Sequence, residues 1–180
     1  MVSRMKSLFG TIPYLEGKNT VLRQVTDKDA DALYEFVHNE KIYRYLPTFL
    51  YEQKYEDVHY VIDHLYTECL EESLIQGIYR NEEFCGLAEF YAYKPRAKHV
   101  SIGYRLCENV WGQGIATEVV GLMIGCLLND KDIEIITAST MIENHASAKA
   151  LMHNGFELVE SGVEEDWGFP EPTLADKWIR

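Results

Sequence analysis

Between Leu74 and Cys107 the chain abandons helical spacing and reads as three consecutive strands, and this run limits the possible folds more than any other feature. Leu74 to Tyr79, Phe84 to Tyr93 and Val100 to Cys107 carry the β-branched and aromatic residues that suit a pleated surface. Asn81-Glu82-Glu83 separates the first two and Pro95 with Lys98 the next two, so the three form antiparallel hairpins. Ahead of them, Thr20 to Val25 reads as a strand. Thr26 with Asp29 three positions on, then Ala30, Leu33, Tyr34 and Val37, reads as a capping box opening an amphipathic helix. Further helices are expected at about 40–46, stopped by Pro47, and at about 55–71, with Val58, Ile62, Leu65, Tyr66 and Cys69 on one face.

After the hairpins come an apolar helix over 117–128, a strand over 133–139 and a helix over 146–154 closed by Gly155. Two more strands follow, over 156–163 and 173–179. The order β-α-α-α-β-β-β-α-β-α-β-β, with no repeat, low-complexity segment or linker, predicts one mixed α/β domain over residues 1–180, with 1–16 flexible.

Composition narrows the function classes. A net charge of -12 without a Lys/Arg cluster argues against nucleic acid as a partner, and mildly favours a cationic one. The longest apolar run, residues 121–128, is too short to span a bilayer, and residues 1–17 lack the apolar core of a signal peptide, so no membrane partner and a cytoplasmic location are expected. Cys69, Cys85, Cys107 and Cys126 show no CxxC spacing and read as buried free thiols of a reducing compartment. The six histidines show no HxxxH or HxH spacing, so no metal site is expected.

The most informative stretch is Asn109-Val110-Trp111-Gly112-Gln113-Gly114-Ile115-Ala116-Thr117-Glu118, which joins a strand to the apolar helix. The first turn of a helix leaves N–H groups unpaired at the positive end of the dipole, and glycine lets backbone approach an anion. The glycines could equally serve the turn alone. No GK[ST] follows, and no GxGxxG stands after an N-terminal strand, so neither a P-loop nor a dinucleotide fold fits.

Residues 111–118, Trp-Gly-Gln-Gly-Ile-Ala-Thr-Glu, resemble the acetyl-CoA loop of the GNAT superfamily of N-acetyltransferases. With Trp111 in place of the usual Gln or Arg, they are closest to the branch of ribosomal-protein alanine N-acetyltransferases. Ser101-Ile102-Gly103-Tyr104-Arg105-Leu106 is similar to the strand before that loop, with Ser101 where Glu is usual. Asn144-His145-Ala146-Ser147, followed by Asn154-Gly155-Phe156, resembles the signature of the later helix. The likeness runs from about Thr20 to Ile179 and implies a mostly antiparallel sheet of about seven strands flanked by four helices, with one parallel strand pair splayed apart.

The resemblance also implies roles. Backbone around Gly112, Gln113, Gly114, Ile115, Ala116 and Thr117 would hold the pyrophosphate of acetyl-CoA. The strand from Tyr104 through Leu106 would pair with the pantetheine arm and supply an oxyanion donor. Asn144 would bind pantetheine, cap its helix, or both. An amine acceptor, by the branch resemblance a protein N-terminus, would attack the thioester directly in a ternary complex. An α-amine of pKa about 7.7–8.0 is roughly a tenth neutral at pH 7, whereas a lysine near 10.4 is neutral in under ~0.1 %, so an N-terminal acceptor needs less help from a base.

The seventh residue after Asn144, where many of these enzymes carry a tyrosine acid, is Leu151. Ser147 is the branch's candidate for that role, or else a small residue packing in its turn. Base candidates are Glu89, set in an otherwise apolar strand and either ion-paired with Arg105 or Arg96 or poised with a raised pKa, and Asp166 in the acidic segment 164–166. Tyr43-Arg44-Tyr45 and Tyr91-Ala92-Tyr93 line an acceptor cleft or simply pack. The loop 167–170 would contact the acceptor or the second subunit of a homodimer. Acetylation of a small-molecule amine, and an acyl-CoA sensor without turnover, are the competing readings.

Overall fold

The computed structural model describes residues 4–48, 50–68 and 72–180. Helix α1 (Arg4–Phe9) buries Met5 and Phe9, one turn apart, and the Phe9 ring packs 5.0 Å from that of Phe90. Two apolar residues at i and i+4 give residues 4–9 a face that the sheet covers. Strand β1 (Leu15–Glu16) then pairs antiparallel with β2 (Val21–Arg23).

The expected capping box forms. Asp29 accepts from the Thr26 N–H at 2.9 Å and from its hydroxyl at 3.2 Å, ahead of α2 (Ala30–Val37), which buries Ala30, Leu33, Phe36 and Val37. Helix α3 (Glu40–Tyr43), capped by Asn39, stops short of the expected Leu46, four residues before Pro47. Helix α4 (Val58–Tyr60) runs on as a π-helix over Val61–Glu68, so the apolar stripe is only partly α-helical; Cys69 lies outside the described residues.

The meander is β3 (Ser73–Arg80), β4 (Glu83–Lys94) and β5 (His99–Leu106), antiparallel throughout. Helix α5 (Ile115–Gly125) is continued by a π-turn over Cys126–Asp130 and leads to β6 (Ile135–Met141), α6 (His145–His153), β7 (Glu157–Glu165) and β8 (Thr173–Ile179). The single sheet has the order β1-β2-β3-β4-β5-β6-β8-β7. It has eight strands rather than about seven, the extra one being the two-residue β1, and α1 is a short addition to the expected helices.

Both faces of the central strands are covered. Phe90, Val100, Ile102 and Ile136 pack with α1 and with Val119 and Met123 of α5; Leu87 packs on the other face with Leu33, Phe36, Ile62 and Tyr66. Cys85 and Cys126 are buried free thiols and Cys107 is partly buried, and burial pushes all three pKa values up, Cys85 to about 12. No helix among the described residues is long and apolar enough to cross a membrane.

The β3–β4 turn places Asn81 at φ 51° and Glu82 at φ 66°, the left-handed pair of a type I′ hairpin. Asparagine tolerates that region, but glutamate is strained there by roughly 1–2 kcal/mol. Glu82→Gly is therefore expected to stabilise the domain by about 1 kcal/mol and to raise the Tm by roughly 2–4 °C in calorimetry. A lower Tm would count against strain at this turn.

Candidate active site

Among the described residues β5 and β6 are the one parallel pair, joined by three rungs: His99–Ile135, Val100–Ile136 and Ser101–Thr137. The Ser101 and Thr137 hydroxyls, 2.8 Å apart, close the last rung. Beyond it the strands diverge, because β5 stays bonded to β4 as far as Leu106 while β6 stays bonded to β8 as far as Met141. The direction of the backbone groups along the opening follows from two bonds. Cys107 N–H donates to Cys85 in β4, and Ile135 N–H donates to the Lys98 carbonyl. Odd residues of β5 thus aim their amides at β4 and even residues at the gap. Tyr104 and Leu106 are the even residues beyond the last rung, so their N–H groups line the opening.

Both ends of the gap are already tied off. The Trp111 indole donates to the Leu106 carbonyl at 2.8 Å, and Asn144 N–H donates to the Met141 carbonyl at 2.9 Å. Trp111, in place of the family's usual Gln or Arg, thus fixes the strand end from which the loop departs.

In the loop, Gly112 has φ 70° and Gly114, the residue before α5, has φ 79°. A Cβ at either would meet nothing within 4 Å, so these glycines are required by backbone conformation, and the space above them is open. The Glu118 N–H donates to the Gly114 carbonyl at 3.2 Å and opens the hydrogen-bond ladder of α5, which leaves the N–H groups of Ile115, Ala116 and Thr117 in the unpaired first turn. Ile115 buries its side chain in the core, while Gly112, Gln113 and Gly114 are exposed.

Arg80 adds a cation here, donating to Gln113 Oε1 at 2.5 Å. Glu118 faces the other way: its carboxylate accepts from the Asn19 and Thr20 N–H groups, the Asn19 amide and the Thr20 hydroxyl, at 2.7–3.1 Å. Burial works against its charge, but these donors prevail and hold its pKa below the ordinary range. Gly17 passes so close that a Cβ there would lie 2.4 Å from Glu118 Oε1.

Across the gap, Asn144 caps α6 by accepting from Ser147 N–H at 3.2 Å, and the Tyr104 phenol donates to Ser147 Oγ at 3.1 Å. Leu151, where a phenol was looked for, is in the core.

The opposite face of β5 is polar. Arg105, beside Leu87 on β4, is not paired with Glu89 but with Glu52, which reaches it from the 3-10 turn Tyr51–Lys54; both side chains are about 5 % exposed or less. The Tyr43 hydroxyl lies 3.3 Å from Arg105 Nη1 and 3.4 Å from Glu52. Glu89 stands opposite Gly103 in the same register and is partly buried. Burial raises its pKa and Glu52 adds to that, while Arg105 and a Ser73 hydrogen bond pull it down; the net direction is up. Tyr91 lies over Gly103, 3.7 Å from where a Cβ would be. Arg96 sits in the exposed β4–β5 connection.

A GNAT acetyltransferase domain model matches residues 19–157. The chain belongs to the GNAT acetyltransferase family. Over 170 residues it is 28 % identical to a protein of Bacillus subtilis (strain 168) described as an uncharacterized N-acetyltransferase, YoaA, covering 91 % of this chain and 93 % of that one. Among solved structures it resembles the ribosomal L7/L12 alpha-N-protein acetyltransferase RimL in complex with coenzyme A, with a TM-score of 0.79, 20 % identity and 93 % and 97 % of the two chains covered. It also resembles the microcin C7 self-immunity acetyltransferase MccE bound to acetyl-CoA and AMP, with a TM-score of 0.73, 20 % identity and 91 % and 93 % coverage.

The protein is an acetyl-CoA-dependent acetyltransferase of the GNAT fold, and its own geometry fits that donor. The open first turn of α5, the two left-handed glycines and Arg80 suit a pyrophosphate, and the Tyr104 and Leu106 amides suit the amide-bearing pantetheine arm. The loop residues, Tyr104, Leu106, Asn144 and Ser147 all border one opening. Asp166 does not: it is exposed and accepts from Gly168 N–H at 2.9 Å. Its neighbour Glu165 turns inward, bonded to Lys177 and to the Trp167 indole. Trp167 is buried, and its carbonyl holds Thr48 N–H at 2.7 Å. Arg80 and Glu52 went unnoticed in the sequence, where no local pattern marks them.

Gly114→Glu forces a side chain into a left-handed position and adds a negative charge beside the unpaired amides. Calorimetric titration is expected to show no acetyl-CoA binding to this variant, against micromolar binding by the parent; equal affinity would refute the loop assignment. Glu52→Gln leaves the Arg105 guanidinium buried without its counter-charge. It is expected to cost ~3–5 kcal/mol in urea unfolding, and a loss below about 1 kcal/mol would show the pair to be dispensable.

Proposed function

We propose that the enzyme transfers the acetyl group to the α-amine of a protein or peptide N-terminus by direct attack in a ternary complex. The observation that carries this reading is the placement of Glu89 across from Gly103, beside the strand whose Tyr104 amide faces the gap. The thioester occupies the gap, and an amide of β5 takes the developing oxyanion. Glu89, its pKa raised by burial, accepts the amine proton through water. Ser147 stands on the side of the departing sulfur. The structural likeness to the L7/L12 alpha-N-protein acetyltransferase, and to a related acetyl transferase whose description has it modify the N-terminal serine of L7/L12, supports a protein N-terminus. The likeness to the microcin self-immunity enzyme supports a small amine-bearing molecule as the second reading.

A thiol-release assay with acetyl-CoA decides between them, run against Ser- and Ala-initiated peptides, polyamines, amino acids and aminoglycosides. Turnover is expected with peptides, and exclusive turnover with small amines would transfer the assignment. In the parent, kcat/KM should fall toward acid with a two-proton slope, one proton from the amine and one from Glu89. Glu89→Gln should lose ~10²-fold or more and fall with a one-proton slope. An unchanged slope would remove Glu89 from the mechanism.

A further inference from the structure

The side chain of Tyr104 has no part in the mechanism above, which uses only its backbone. It stands on the face of β5 that carries Ile102 and Leu106, and it packs, with Ala148 of α6, against the core under α5. Its phenol crosses from β5 to α6 and ends on Ser147 Oγ at 3.1 Å. The Ser147 backbone is fixed in turn, since its N–H donates to the Asn144 carboxamide that caps the helix. A serine hydroxyl has one hydrogen to give and two lone pairs to receive. With a phenol donating to it, its own hydrogen has to point elsewhere.

We infer that Tyr104 is a positioning residue: by donating to Ser147 Oγ it turns the Ser147 hydrogen toward the sulfur of coenzyme A as the thioester breaks. The inference rests on the reading that places Ser147 beside that sulfur. In the step itself the amine lone pair forms the new C–N bond, and the tetrahedral intermediate collapses with cleavage of C–S. The electron pair of that bond leaves on sulfur, and the amine proton passes to Glu89 and solvent. An alkyl thiolate is a far better leaving group than an amine anion, so Ser147 has only to hydrogen-bond it; the thiol proton comes from solvent afterwards. Serine therefore never becomes an alkoxide. Burial raises the pKa of the Tyr104 phenol, and a phenol so placed stays protonated across the neutral range, with its hydrogen available to donate to Ser147.

The test is a double-mutant cycle on Tyr104→Phe and Ser147→Ala, both of which keep the packing. With acetyl-CoA and a Ser-initiated peptide, Tyr104→Phe is expected to lower kcat about 10-fold with KM for acetyl-CoA unchanged, the size of one hydrogen bond. In the Ser147→Ala background it should cost nothing further. An equal loss in both backgrounds, or no loss in the parent, overturns the inference. A second measurement needs no acceptor: calorimetric affinity for coenzyme A against desulfo-coenzyme A. The parent should prefer coenzyme A by about 3–10-fold, and Tyr104→Phe and Ser147→Ala should both bring the ratio to parity. A preference that survives Tyr104→Phe also overturns it. If the parent turns over no amine while the affinity ratios behave as expected, the transferase reading fails and the Tyr104–Ser147 arrangement stands.

Discussion

The divergence of β5 from β6 is the constraint on which the rest of this structure depends. Three parallel rungs hold the two strands together, and then each follows its other neighbour, β5 to β4 and β6 to β8. A sheet that opens in its middle exposes amides that would otherwise be paired, and unpaired amides have to be satisfied by something. Here the carbonyls at both far ends are satisfied within the chain, by the Trp111 indole and the Asn144 amide. The N–H groups of Tyr104 and Leu106 remain directed at the opening. An amide-bearing ligand is the natural occupant, and the open first turn of α5 lies at the end of the same strand.

Because side chains alternate along a strand, β5 serves two environments at once. Its even residues enter the core under α5 and, through Tyr104, reach Ser147 on α6. Its odd residues face the polar side, where Gly103 leaves room beside Glu89 and Arg105 is held by Glu52. The two environments are thus separated by the thickness of one strand. The Arg105–Glu52 pair also ties the 3-10 turn Tyr51–Lys54 to the sheet.

Much of this was legible beforehand because it is local. The Thr26–Asp29 box, the Asn81-Glu82 turn and strand Thr173–Ile179 all form where short-range pattern puts them. The loop glycines were legible too, although for a partly different reason: they stand at positive φ with open space around them, so conformation alone demands them. The elements that went astray are those set by partners far along the chain. Helix α1 lies where the sheet covers Met5 and Phe9, and α3 ends at Tyr43, whose hydroxyl lies beside Arg105 and Glu52. Glu89 was expected beside Arg105 or Arg96, but Arg105 is taken by Glu52, a residue 53 positions away with no periodic signal around it.

The sequence by itself determined the family and, α1 and β1 apart, the order of elements, since each is encoded in spacing over ten to fifty residues. Tertiary structure alone decided which carboxylate neutralises Arg105, that Glu165 turns inward while Asp166 faces solvent, and that the phenol meeting Ser147 comes from Tyr104. Those choices depend on which strands lie side by side and which of their faces meet. Register and burial set that, and neither is written at any single position.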